Sequence, residues 1–189
     1  MEADWEIEIG ADAPLIEARW PGFVDLAHHP ERARELAETL QFEELAAALI
    51  RLNGSDSPVW TTKCDVWPTD DFDPDEMDAP DMESLLAVAC YIDLLPRDPV
   101  LWLAPENAVQ WCKKLCARLR CLPLRSSRAD LVVRGLAGNT DGYEVGVTAY
   151  LSACSGTEAE AQSRLASALA VFADAVATEA AAAVSSKLQ

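Results

Sequence analysis

A small set of charged and aromatic side chains, set among apolar residues, has the chemistry to bind or transform a ligand. The candidates are Lys63, Asp65, Tyr91, Asp93, Arg134 and Tyr150. Carboxylates, lysine and tyrosine act as general acids and bases, and the same groups hydrogen-bond to or stack against a partner. We interpret the six as ligand- or partner-binding residues, and the sequence assigns no catalytic residue.

The segment 84–95 is the element that must position two of these candidates. It is the longest apolar run with strand-like residues, and it ends at Pro96. Successive side chains of a strand point to opposite faces, so Tyr91 and Asp93 share one face while Ile92 and Leu94 share the other. The run predicts a central strand with one fully buried face.

Three further segments, 59–67, 129–136 and 143–154, are rich in β-branched and aromatic residues and also alternate. In the first of them the alternation places Thr61, Lys63 and Asp65 together on a wet face. The other two are joined by a loop whose Asp141-Gly142 pair is a hairpin signal. Shorter strands are predicted near Trp5 and at 15–20.

Helices are predicted after each pair of strands. Pro30 and Pro105 are each followed by an acid, which is the pattern of a first helical turn. Leucines at helical spacing, among them Leu40, extend the first helix to Asn53. Thr157 and Glu160 are three residues apart and form a capping box that begins the last helix.

This order predicts an α+β fold in which paired strands alternate with helices. We expect a two-layer sandwich, with helices on one face of a mostly antiparallel sheet and a ferredoxin-like core from the first helix onward. A chain of 189 residues, half of them hydrophobic, is expected to form a single domain, 1–189. An acidic loop at 69–83 is expected to be solvated, and the alanine-rich tail after 178 is expected to fray.

The charge of the chain limits its partners. Thirty-two acids against fifteen bases give a formal charge of −17, which repels nucleic acids and anionic lipid surfaces. The first residues have no basic and apolar signal pattern, and no apolar run is long enough for a membrane span. The expected location is the cytoplasm, where the six cysteines would stay reduced.

Metal and cofactor chemistry has weaker support in the sequence. His28 and His29 are adjacent, which is not a spacing that aims two rings at one metal. Cys112 and Cys116 fall on the apolar stripe of a helix, where buried thiols are expected. Cys64 would point away from Lys63, so the lysine would not activate it. We expect no metal and no cofactor.

Two functions remain open. The first is a binding module that uses an exposed polar sheet face, with another protein or a second copy of this chain as its partner. The alternative is an enzyme acting on a small polar substrate in a pocket beside the acidic loop. An enzyme predicts a concave pocket that buries at least two of the candidate carboxylates or the lysine.

Overall fold

The computed structural model is an α+β fold, and it describes residues 1–10, 16–17, 21–80, 84–137 and 144–186. The strands are β1 (Glu2–Glu8), β2 (Ile16–Glu17), β3 (Val59–Thr69), β4 (Leu86–Pro96), β5 (Ser127–Ala137) and β6 (Val145–Ser155). The α-helices are α1 (Ala37–Gln41), α2 (Glu43–Leu52), α3 (Pro105–Arg120) and α4 (Glu158–Ser186). Short 3-10 helices cover Pro30–Glu35, Asp75–Met77 and Pro99–Trp102.

The five long strands form one mixed sheet in the order β1-β5-β6-β4-β3. β1 runs parallel to β5, and the other neighbours are antiparallel. The two-residue β2 pairs in parallel with the end of β5. The prediction of an α+β fold with a mostly antiparallel sheet is confirmed. A ferredoxin-like core is not confirmed, because β6 lies between β5 and β4 while β1 lies at the edge.

Alternate residues of β4 carry the main core. Val88, Cys90, Ile92 and Leu94 belong to one buried cluster to which the apolar stripes of α2, α3 and α4 also contribute. Phe172 of α4 is fully buried there. Burial of a leucine, isoleucine or phenylalanine side chain stabilises a fold by about 1.5–3 kcal/mol, so this side of the sheet supplies much of the stability.

The helix ends follow from local chemistry. Pro105 occupies the start of α3, where its missing N–H is not needed. The Thr157 hydroxyl accepts a hydrogen bond from the Glu160 amide at 3.3 Å, as the capping box predicted. The backbone of α4 is helical through Ser186, and the fraying expected after 178 stays a prediction.

The continuous helix expected from Pro30 to Asn53 is broken into three pieces. Leu36 has extended backbone angles between the 3-10 turn and α1, and Phe42 leaves helical angles between α1 and α2. The Thr39 hydroxyl donates to the Ala33 carbonyl at 2.7 Å, which fixes the first break. Leu40 is 76% exposed, so its place in the predicted apolar stripe was wrong.

Two smaller apolar clusters lie apart from the main core. Trp60 and Leu95 pack with Phe23 and Ala27. Met77 of the acidic loop packs with Ala87 of β4 and Cys154 of β6. Within the described ranges, none of the helices combines the length and the apolarity that a membrane crossing needs. The hairpin turn at Asp141-Gly142 and most of the strand expected at 15–20 lie outside the described residues.

Candidate functional site

One row of side chains crosses the whole sheet on the side opposite the main core. Its members are in direct register from one edge strand to the other: Asp4, Asp130, Tyr150, Tyr91 and Asp65. Side chains in register share a face of the sheet, and neighbours lie about 4.5–5.5 Å apart at Cβ. We call the side of the sheet that carries this row the polar face.

The six predicted site residues lie on strands β3, β4, β5 and β6, and their side chains differ in solvent exposure. Asp65 is exposed, Lys63, Tyr91 and Tyr150 are half-buried, and Asp93 and Arg134 are buried. Asp93 and Arg134 were expected on an exposed face. Each lies two residues before a member of the apolar cluster around Trp60, which covers this end of the polar face. The sequence pattern did not predict that Phe23 and Ala27 would pack over this end of the sheet.

Three aromatic rings form a continuous contact across the polar face. The ring centroids of Trp67 and Tyr91 are 6.1 Å apart, and those of Tyr91 and Tyr150 are also 6.1 Å apart. Burial, followed by the charges of Asp93 and Asp65, raises the pKa of Tyr91 to about 12. Its phenol therefore stays neutral near pH 7 and remains a hydrogen-bond donor. We call these three residues the aromatic row.

Arg134 fixes one end of the aromatic row. Its Nη1 donates to Glu8 Oε2 at 2.5 Å, and its Nη2 donates to the Tyr150 hydroxyl at 3.3 Å. The guanidinium carbon lies 5.8 Å from the Tyr150 ring centroid, within cation–π range. Only 7% of the Arg134 side chain is exposed, so water competes little for these bonds. The position of Tyr150 is therefore set by two contacts to one cation.

Asp93 is a buried carboxylate beside the same row. The Thr148 hydroxyl donates to Asp93 Oδ1 at 2.6 Å, and the residue is 5% exposed. Burial raises the pKa of Asp93, although the Thr148 hydrogen bond and the positive charges of Lys63 and Arg134 oppose that change. The carboxyl is thus held by its neighbours within the sheet.

A β-bulge changes the parity of β3. The register shifts between Thr61 and Cys64, so Thr61 pairs with Leu94 on the core side. Asn53 Nδ2 donates to Thr61 Oγ1 at 2.7 Å, and the Thr61 amide donates back to Asn53 Oδ1 at 3.0 Å. The expectation that Thr61 lies on the wet face was wrong. Beyond the bulge, Asp65 pairs with Tyr91 as the alternation requires.

Two cavities open on the strands of this site. A cavity of about 500 Å³ lies along β3, where Lys63, Asp65 and Tyr91 line it together with Glu38. A second cavity of about 350 Å³ lies over β1, β5 and β6, and Tyr150 lines it with Asp4, Glu6 and Asp130 among others. Each cavity is therefore lined by one tyrosine of the aromatic row and by carboxylates.

The metal and nucleophile candidates do not form sites. Burial, then the charges of Glu38, Asp65 and Asp93, raises the pKa of the Cys64 thiol to about 12, which makes it a poor nucleophile. Cys112 and Cys116 are buried in the core, as expected. His28 Nδ1 lies 2.9 Å from Asp25 Oδ2 on the surface. In the part of the chain that the structure covers, no three such side chains cluster around a common point.

The acidic loop contacts the sheet. Glu76 pairs with Arg128 of β5 at 3.0 Å, and Asp78 pairs with Arg125 at 3.6 Å. Met77, between them in sequence, is 1% exposed and anchors the loop. The described acids of the loop are exposed and Met77 is buried, and the solvation of the whole loop 69–83 stays a prediction.

Sequence reasoning missed several members of the site. Trp67 follows Asp65 by two residues, so the alternation already placed it on the polar face. The acids of β1 alternate in the same way, with Asp4, Glu6 and Glu8 on one side. The sequence could not show that β1 pairs with β5, because strand order and register depend on the tertiary fold.

Comparison of the chain with known protein families, curated proteins and solved structures finds no match. The proposed function therefore rests on the geometry and the charge of this chain.

Proposed function

We propose that this protein is a binding module that holds a basic segment of another protein against its polar face. The observation that carries the proposal is the aromatic row, half-buried and flanked by carboxylates at both ends. Tyrosine and tryptophan are enriched at protein interfaces because they present a large rigid apolar area with a polar edge.

Charge favours a basic partner. The chain carries a formal charge of −17, and exposed acids such as Asp4 and Asp65 lie at the two edges of the polar face. Opposite potentials raise association rates and suppress wrong partners. The same charge disfavours nucleic acids and also disfavours a second copy of this chain.

The edges of the sheet are poor sites for the addition of a partner strand. The polar face is therefore the favoured site for a partner. The amide of Trp5 donates to Asp4 Oδ1 at 2.8 Å, that of Thr61 to Asn53 Oδ1 at 3.0 Å and that of Val66 to Asp65 Oδ1 at 2.7 Å. Each of these side-chain oxygens already accepts from a backbone amide of an edge strand. Charges, bulges and occupied donors on edge strands prevent edge-to-edge pairing.

The proposal includes expectations that the sequence raised. It takes the helices as one layer behind the sheet, so that the polar face is the accessible layer of a two-layer sandwich. It places the protein in the cytoplasm, where free thiols persist, and all six cysteines are free. Self-association is retained as an outcome that light scattering at high concentration would detect.

A small-molecule enzyme is the second candidate. The cavity of about 500 Å³ favours it, because Lys63, Asp65 and Tyr91 meet there. Against it, Asp93 is the one candidate carboxylate that is buried, Asp65 is exposed and Lys63 is half-buried. A substrate would have to draw its acid-base chemistry from a lysine and an exposed carboxylate.

Fluorine NMR tests the proposal directly. The chain has three tyrosines, so 3-fluorotyrosine gives three resonances that Tyr91→Phe and Tyr150→Phe assign. Peptides of about twelve residues, mixed in sequence and rich in lysine and arginine, are expected to shift the Tyr91 and Tyr150 resonances. Acidic peptides of equal length serve as the control. If neither resonance responds to any basic peptide, the binding module is refuted, and a response confined to Tyr91 with small polar molecules favours the enzyme.

A further inference from the structure

We infer that the cavity of about 350 Å³ beside Tyr150 is a receptor for one guanidinium group, supplied by an arginine side chain of the partner. This inference rests on the proposed binding module and specifies what the polar face recognises. The cavity is lined by three acids and one cation together with apolar and aromatic side chains: Asp4, Glu6, Asp130, Arg128, Val132, Trp5 and Tyr150.

The pairing of β1 with β5 does not match every acid with a base. β1 has an acid at each of its polar-face positions. The first and the last of these acids have an arginine as their register partner on β5: Glu2 is in register with Arg128 and Glu8 with Arg134. The two middle acids of β1 have no basic register partner on β5. Asp4 is in register with Asp130, and Glu6 is in register with Val132.

Two carboxylates in direct register repel each other and weaken the strand pair unless a cation lies between them. Local cations compensate only in part. Arg128 Nε donates to both Asp130 oxygens, at 2.9 and 2.8 Å, and its Nη1 also pairs with Glu76 at 3.0 Å. Arg120 reaches Asp4 at 3.5 Å from α3.

Glu6 makes no ion pair with any residue in the described ranges, and its side chain is exposed. Along the strand, Asp4 and Glu6 are separated by two residues, or about 7 Å. The cavity lies at these two positions, so its lining is negative even after Arg128 is counted.

The walls of the cavity favour a planar cation. Val132, 2% exposed, belongs to the lining, and the Tyr150 ring supplies an aromatic surface. The chain already binds one guanidinium in this way, because Arg134 lies by the same ring and pairs with an acid of β1. A second guanidinium beside Tyr150, bonded to Glu6, would repeat that arrangement two residues earlier on β1. Guanidinium stacks on aromatic faces and bonds carboxylates in two places, which an ammonium cannot do.

The test uses the fluorotyrosine protein and short glycine peptides that differ at one residue. The arginine peptide is expected to shift the Tyr150 resonance more than that of Tyr91, and the lysine peptide is expected to bind more weakly. The citrulline peptide has nearly the same shape without the charge and is expected to shift neither tyrosine resonance. Glu6→Gln should weaken the arginine peptide about fivefold, the upper range for a partly solvated charge pair. Glu44→Gln removes an equal charge from an exposed position on α2 and should leave binding unchanged.

The outcomes distinguish failure of the guanidinium receptor from failure of the binding module. Equal response to arginine and citrulline peptides, or equal effects of Glu6→Gln and Glu44→Gln, overturns the guanidinium receptor. If longer basic peptides still shift both tyrosines while Glu6→Gln has no effect, the receptor is overturned and the binding module stands. If argininamide or spermidine binds and every peptide fails, the source of the cation is a free small molecule, and the arginine assignment and the binding module are both overturned.

Discussion

The ion pair between Glu8 and Arg134 should be worth more than a surface pair, because one partner is buried. The Arg134 side chain is 7% exposed and that of Glu8 is 41% exposed, with 2.5 Å between Nη1 and Oε2. Exposed pairs contribute about 0–1 kcal/mol and loss of one partner from a buried pair costs about 3–5 kcal/mol. A half-buried pair lies between these limits, so we expect a coupling free energy of about 1–2 kcal/mol.

A double-mutant cycle measures that coupling. Glu8→Gln, Arg134→Met and the double variant are unfolded in urea, and the free energies of unfolding are extrapolated to water. The pair Arg32–Glu35 is the matched control, since its atoms are 3.0 Å apart but both side chains are at least 44% exposed. Salt near 0.5 M shortens the Debye length to about 4 Å and should remove the control coupling while leaving most of the Glu8–Arg134 coupling. Equal couplings that vanish together in salt would show that the burial of Arg134 does not strengthen its pair with Glu8.

Two further predictions concern the residues next to the site. Asn53→Ala removes the side chain that bonds both the amide and the hydroxyl of Thr61, and should lower the free energy of unfolding by about 2–4 kcal/mol in urea titrations; a loss below about 1 kcal/mol would contradict it. Burial raises the pKa of Asp93, so its ionisation opposes folding and stability falls as pH rises from the ordinary carboxyl value through the raised one. Asp93→Asn abolishes this dependence: urea titrations across that interval should show the variant gaining stability relative to the unchanged protein, and a relative loss would refute the assignment.

Alternation along the strands predicted much of the site because it depends only on backbone geometry. Tyr91 and Tyr150 were placed on one face from parity alone, and they are directly in register. The same alternation predicted which residues of β4 are buried on the other side. Those predictions needed no knowledge of strand order.

The bulge in β3 shows where parity fails. An extra residue between Thr61 and Cys64 reverses the facing of everything before it, and no residue type in that stretch announces the insertion. The burial of Asp93 and Arg134 depends on contacts between segments far apart in sequence. Pairing of β1 with β5 has the same origin, which is why the short strand near Trp5 was predicted without a partner strand.

The polar face gives its charges two different tasks according to their burial. Arg134 and Asp93 are shielded from solvent, so they act at contact distance and fix the groups around them. Asp4, Glu6 and Asp65 are exposed, and at physiological ionic strength their field decays over about 8 Å. In the proposed binding module, these exposed acids also act before contact, where they raise the association rate of a basic partner. In the same proposal, the rings of the aromatic row act mainly on the dissociation rate, because most differences in affinity lie in dissociation.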